Sequence, residues 1–358
     1  MKKKILTVAI IVCILLLGAW WVFSVVMYNL NINQRFETHE PLMFRVEDFV
    51  GLERTRYTFP SNKGQMLTGY VYSIGDDQQK RGIIVCAHGF GGGGHNSYMD
   101  CIHYFTQAGY YVFAYDATGN DESEGKGVGG FPQGVVDLDH ALSFIQSLPE
   151  YKDFPIGLFG HSWGAYSVCT VLTFHPEVRA VIAACGSNSS SDLFEAGGKR
   201  MAGDGIYAMM PFVKLHEQVT YGKYATSTAM DGFEASKAHI MITHSADDDV
   251  VPISYGYERY YIQYKDNPRF TFLHFDDRGH GDFFVDPLDT YKDEFNETFY
   301  DWRETLGYDY NAKENKERFE QDRADYIRKN LDRAKWAHRL DEKLFEQFVQ
   351  FYDNYVKP

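Results

Sequence analysis

A serine held between glycines, Gly160-His161-Ser162-Trp163-Gly164, is the pattern in this chain with the clearest capacity for chemistry. It fits G-x-S-x-G, in which a sharp strand-to-helix turn thrusts a serine hydroxyl out above a helix N-terminus. Its flanks match that geometry. Ile156-Gly157-Leu158-Phe159 ahead of it is a short apolar run of strand type, and Ala165 to Thr173 behind it is small and apolar enough to continue as a buried helix. Bulkier residues at the two glycines would strike the neighbouring strand and helix. Five letters also arise by chance, and a glycine-bracketed turn with a surface serine is the plain alternative.

A serine attacks a carbonyl only when a base takes its proton and a carboxylate holds that base. Ligands of parallel sheets bind at the carboxyl ends of strands, so the loops after strand-like runs are where the partners belong. His239 to Thr243 is followed by His244-Ser245-Ala246-Asp247-Asp248-Asp249-Val250-Val251-Pro252, and Phe270 to Phe275 by Asp276-Asp277-Arg278-Gly279-His280-Gly281. A carboxylate after one strand and a glycine-flanked histidine after the next complete the chain order Ser, Asp, His. Among 13 histidines, His280 is therefore the predicted base. His161 fills a variable position of the serine turn, His88 shapes a turn, and His274 lies within a strand. His95, His103 and His216 lack paired metal-ligand spacing. No metal or organic cofactor is expected.

These groups need a sheet to carry them. Tyr57 to Phe59 and Gly69 to Tyr72 read as an opening hairpin. The apolar runs Gly82 to Ala87, Tyr110 to Tyr115 and Ala180 to Ala184 are of the kind buried on both faces of a parallel sheet. Helical stretches alternate with them, around Tyr98 to Ala108 and through Val135, Leu138, Leu142 and Ile145. This alternation predicts an α/β fold, a mostly parallel central sheet with helices on both faces. It stops between about 187 and 237, where Met201, Met209, Met210 and Phe212 in a glycine-punctuated insertion suit either an apolar lid or a packed excursion. From about 300 to 358 the chain is helical, with Leu344, Phe345, Phe348, Phe351, Tyr352 and Tyr355 forming a stripe that predicts a docked helix.

The 358 residues hold 35 basic and 49 acidic side chains, a net charge of −14, with no basic cluster beyond Lys2-Lys3-Lys4. Nucleic acid is not an expected partner. Five cysteines with no C-x-x-C predict buried free thiols rather than disulfides or zinc. Ile5 to Tyr28 carries no charge and ends near Trp20, Trp21 and Tyr28, long enough for the ~20 residues that cross a bilayer. It is longer than the core of a cleaved signal peptide and lacks an A-x-A site. Residues 1–30 thus read as an uncleaved signal anchor and 31–53 as a linker to a domain over 54–358. Three lysines before the span against Arg35 after it put the N-terminus in the cytoplasm and the domain on the extracytoplasmic side.

Over roughly residues 54–300 the sequence resembles the α/β-hydrolase family. The features that carry this are His88-Gly89 after an apolar strand, Asp116-Ala117-Thr118-Gly119 with Ser123-Glu124-Gly125 downstream, the serine turn, the Asp-x-x-Val-Pro stretch and Gly279-His280-Gly281. The resemblance implies a serine hydrolase with Ser162 as nucleophile and His280 as base. Its pattern places the acid four residues before Pro252, at Asp248, with Asp247 and Asp249 as rivals; Ser245 stands where many relatives have glycine. It also implies an oxyanion hole from the backbone N–H groups of Phe90 and Trp163, with Gly91 to Gly94 letting a substrate approach closely. The expected substrate is a carboxylic ester, with an acyl chain or lipid suited to an anchored enzyme. A serine peptidase, an acyltransferase and a non-catalytic binding protein are the alternatives.

Overall fold

The computed structural model describes residues 2–75 and 80–357. One sheet runs through it in the order β1-β2-β4-β3-β5-β6-β7-β8. Its strands are β1 (Glu53–Pro60), β2 (Met66–Ser73), β3 (Ile83–Ala87), β4 (Tyr111–Tyr115), β5 (Ile156–His161), β6 (Ala180–Ala184), β7 (His239–Ser245) and β8 (Phe270–Phe275). The predicted hairpin is β1 against β2, and β2 also meets β4 antiparallel. Every other pairing is parallel. All residues of β3, β4, β5 and β6 are buried, which is why these strands read as unbroken apolar runs rather than alternating ones.

Thirteen helices are seen among the described residues. They are α1 (Lys2–Asn31), α2 (Met99–Gln107), α3 (Gln133–Ser147), α4 (Trp163–Thr170), α5 (Ser190–Ala202), α6 (Met210–Tyr221), α7 (Lys223–Thr226), α8 (Ala229–Ala235), α9 (Tyr257–Tyr264), α10 (Tyr291–Glu304), α11 (Lys316–Asn330), α12 (Arg333–Ala337) and α13 (Glu342–Tyr355). Strand residues divide by the period of two. Val85, Phe113, Leu158 and Val181 face α3, α4, α8 and α9, whereas Ile84, Val112, Phe159 and Ile182 face α2 and α13. The predicted C-terminal stripe docks here. Phe345 and Phe348 lie against Phe159, and the Tyr352 hydroxyl donates to the Leu158 carbonyl at 2.6 Å.

Residues 31–53, expected to be a linker, pack onto the domain instead. Phe36 bridges to Asn120, Phe49 and Leu52 are buried, and Arg333 pairs with Asp48 at 2.5 Å. Their apolar residues follow no single period because the segment has no regular structure longer than one 3₁₀ turn, so periodicity gave no sign of this packing.

The insertion after β6 forms α5, a 3₁₀ stretch over Gly203–Ala208, α6, α7 and α8. Helix α1 is exposed through Phe23, first touches the body at Trp20, and is buried at Ser24 and Tyr28. The contact is made with the insertion. Trp20 Nε1 donates to the Ala208 carbonyl at 2.9 Å, and the Tyr28 hydroxyl donates to Glu217 at 2.5 Å while accepting the Phe131 N–H at 3.2 Å.

Candidate active site

The strand order reverses between β4-β3 and β3-β5, and the loops after β3 and β5 diverge there to leave a crevice at the strand ends. Ser162 sits at the end of β5, immediately before α4, with φ +56°. That is an uncommon conformation for a residue with a side chain, tolerated where the surroundings over-determine it. The glycines of the motif explain themselves. A Cβ on Gly160 would fall 2.4 Å from the Gly164 carbonyl oxygen, and one on Gly164 would fall 1.9 Å from that of Ala87.

From Ser162 a line of hydrogen bonds leads inward. Ser162 Oγ lies 2.9 Å from His280 Nε2, and His280 Nδ1 lies 2.7 Å from Asp248 Oδ2. Asp248 is buried, and its other oxygen accepts the N–H groups of Val250 at 2.9 Å and Val251 at 2.8 Å. His244 Nε2 adds a contact at 3.2 Å. Burial alone would raise the Asp248 carboxyl, but its hydrogen bonds to His244, His280 and Val251 prevail and hold it well below the usual carboxylate range. An ionised Asp248 accepts from His280 Nδ1–H, leaving Nε2 free to accept the serine proton.

Of the three aspartates, Asp248 is the one brought to His280. Asp247 is exposed and accepts from Ser245 Oγ at 2.5 Å and the Gly279 N–H at 2.8 Å; Asp249 is exposed. Ser245 Oγ also accepts the Arg278 N–H at 2.8 Å. The departure from glycine at this position thus adds a clamp between the loop carrying Asp248 and the loop carrying His280.

Trp163 is the first residue of α4, so its N–H is one of the donors a helix start leaves without an intrahelical partner. Phe90 follows β3 across the crevice, and both line the same cavity as Ser162 and His280. The adjoining glycines fall into two pairs. Gly91 and Gly92 border open space, but a Cβ on Gly93 would meet Thr38 Oγ1 at 2.1 Å and one on Gly94 would meet Asp116 Oδ1 at 1.9 Å. The second pair admits the protein's own loops, and both residues also border the smaller cavity beside Ser162.

Two histidines that sequence reasoning passed over belong to this site. His161 is buried beside Ser162, its ring 4.8 Å from that of His280. Burial, reinforced by the nearby His280, pushes its pKa down to about 3. A neutral His161 donates from Nε2 to the His280 carbonyl at 3.0 Å and accepts at Nδ1 from the Tyr98 hydroxyl at 2.9 Å. That hydroxyl in turn accepts the Gly89 N–H at 3.0 Å. The loop after β3 and the loop carrying His280 are thereby joined through two side chains, Tyr98 and His161. His244 is the second, donating to the Val251 carbonyl at 2.8 Å beside Asp248. Neither is distinguishable by spacing, because each acts across loops distant in sequence. Cys185, His244 and Asp248 have donor atoms within 4.8 Å of one another, yet His244 and Asp248 are already engaged in the hydrogen bonds described.

Two cavities flank Ser162. One of about 400 Å³ is mainly apolar, walled by Phe90 and Phe131, by Phe194 and Met209 of the insertion, and by Met27 and Ile32 at the end of α1. Its size is that of a small-molecule site. On the other side, Ser97, Tyr98 and His161 line a space of about 210 Å³. These three also border a cavity of about 380 Å³ that includes Asp100, whose carboxyl is pushed up to about 6 by burial.

Two family models match the chain, one described as serine aminopeptidase S33 over residues 78–192 and one as the C-terminal region of BAAT / acyl-CoA thioester hydrolase over 138–281. No curated protein matches it by sequence. Among solved structures it is similar to an esterase of Pyrococcus furiosus, at 18% identity and a TM-score of 0.54, covering 75% of this chain and 95% of that one. Acetyl xylan esterase 1 from Thermoanaerobacterium is similar at 16% identity and a TM-score of 0.50, covering 78% and 91%. An acylaminoacyl peptidase in complex with a chloromethyl ketone matches at 19% identity and a TM-score of 0.50, covering 64% of this chain but 38% of that one. At these identities the solved structures bear on the fold.

Proposed function

We propose that this chain, which has the α/β-hydrolase fold, is a serine hydrolase that cleaves carboxylic esters whose acyl group lies in the apolar cavity. The observation that carries this is the Ser162–His280–Asp248 line opening into a cavity of about 400 Å³ walled mainly by aliphatic and aromatic side chains, with Asn31 and Arg200 among them. Ser162 Oγ attacks the ester carbonyl as His280 Nε2 takes its proton. The N–H groups of Phe90 and Trp163 receive the oxyanion, each such donor being worth about 3–4 kcal/mol of barrier. The protonated His280, oriented by Asp248, then gives its proton to the departing alcohol. Water activated by the same imidazole releases the acid. The smaller polar side of the crevice suits the alcohol.

A peptidase reading draws on the serine aminopeptidase family model. An aminopeptidase must hold a substrate ammonium, and among the described residues the apolar cavity's lining carries no carboxylate. An ester fits this lining better. The anchor belongs to the same proposal. Because Ser24 and Tyr28 are packed against the body, the embedded part shortens to Ile5–Phe23, about 28 Å of helix, close to the hydrocarbon thickness of a bilayer. Trp20 and Trp21 then lie at its outer boundary.

A fluorophosphonate probe is expected to label the full chain and not Ser162→Ala. Equal labelling of both would overturn the nucleophile. An ester panel graded from acetate to hexadecanoate tests the substrate class. A matching rate on peptide amides, or acyl transfer to added alcohols in preference to water, would replace it.

A further inference from the structure

In this fold the anchor does more than tether. Met27, Asn31 and Ile32, at the end of α1, are part of the wall of the cavity that holds Ser162 and His280. A catalytic domain merely hung from a membrane has no need of its tether in its substrate site. The neighbouring wall comes from the insertion, and the two are in register. Trp20 meets Ala208, just before α6 begins, and Tyr28 meets Glu217 further along α6. Eight residues of α1 rise about 12 Å and the nine-residue step from Ala208 to Glu217 about 13 Å, so α6 climbs beside α1 in the same direction. The segment before α6 therefore lies at the level of Trp20, and Met27 about 10 Å further out.

Two apolar side chains near that lower edge are left uncovered. Met201 lines the cavity and is nonetheless 71% exposed, which puts it at the mouth; Tyr207, beside it in the turn, is 47% exposed. Ile206 and Met209, from the same edge, line the interior. The rim thus carries Met201 and Tyr207 together with the exposed charges of Arg200 and Asp204, an amphipathic mouth at the height of the interfacial tryptophans, where hydrocarbon gives way to headgroups.

We propose that the seam between α1 and the Met201–Met209 edge is the passage by which one acyl chain of a bilayer lipid rises out of the membrane and lies along Met27 and Ile32 with its ester at Ser162. The substrate class is then an acyl ester of a membrane lipid, taken tail first, and α1 sets its chain-length preference. This rests on the ester-hydrolase reading above.

The test uses the full chain carrying Ser162→Ala, reconstituted in phosphatidylcholine vesicles that contain a phosphatidylcholine with a diazirine near the end of one tail. On illumination, crosslinks are expected at Met27 to Ile32 and at Met201 to Met209, besides those in the span. Crosslinks confined to Ile5–Phe23 would overturn the passage, since the tail would then never leave the bilayer. In the otherwise wild-type chain, Met27→Trp is expected to lower kcat/KM at least ten-fold more on a dodecanoate ester than on the matching acetate. An equal fall on both, or none on either, would remove α1 from the acyl site. If the unmodified chain takes neither a fluorophosphonate nor any ester, the hydrolase reading fails instead.

Discussion

Asp248 shows how much a single carboxylate is asked to do at this site. Two backbone N–H groups fix one of its oxygens and two histidines share the other, so it has one available orientation. Asp248→Asn is expected to reverse the donor–acceptor sense toward His280 and lower kcat by on the order of 10⁴, with folding retained. Asp247→Asn, which only loosens a clamp between loops, should cost less than ten-fold; a reversed ranking in steady-state kinetics would move the acid. His161 leads to a different expectation. It links Tyr98 and the loop after β3 to the His280 carbonyl, so His161→Phe and Tyr98→Phe should each lower kcat about 10–100-fold, with less change in KM. Because they interrupt one chain of bonds, the double variant should be little worse than either single one. Fully multiplicative losses would show that the two act separately. None of this is visible in the letters of G-x-S-x-G, where His161 occupies a free position.

Among the elements, the joint between α1 and α6 has the most testable chemistry. Glu217 is buried there, taking hydrogen bonds from Tyr28 of α1 and Ser190 of α5, with Lys214 of its own helix as the nearby cation. Burial raises its pKa to about 7 from an ordinary 4.5. The sign follows from linkage: a raised native pKa means the unfolded chain gives up this proton first, so stability present below about 4.5 is lost as pH rises toward 7. Glu217→Gln should therefore gain on the wild type across that window, by roughly 3 kcal/mol in all. Thermal unfolding of the detergent-solubilised chain from pH 4.5 to 8 measures it, and a constant gap would rule out titration of Glu217. Elements themselves were legible where burial is complete or periodic, as in β3 to β6, α3 and α13. Residues 31–53 were not, because Phe36, Phe49 and Leu52 find their partners one at a time along an irregular path.

Across the whole molecule, both ends of the chain brace the sheet's functional edge. Helix α13 closes the face opposite α4, with Phe348 fully buried among Phe159, Phe284 and Phe345. Phe348→Ala should cost about 3–5 kcal/mol and lower the melting temperature, while the protein that remains folded keeps its turnover. At the other end, removing residues 1–18 should spare the packing of Trp20 and Tyr28, whereas removing residues 1–32 strips a wall from the apolar cavity. Long-chain ester hydrolysis in detergent is expected to survive the first deletion and fall at least ten-fold with the second; equal activity would make α1 a tether alone. Sequence by itself determined the α/β class, the serine turn, the order Ser, Asp, His and an N-terminal helix apolar enough to span a bilayer, because each is written in local composition or short spacing. Tertiary structure decided which aspartate meets His280, that His161 and His244 serve the site, that Gly93 and Gly94 admit the protein's own loops, and that the end of the N-terminal helix lines the cavity. Those depend on distances between residues far apart in the chain, which only the closing of the sheet and the packing of its loops bring into being.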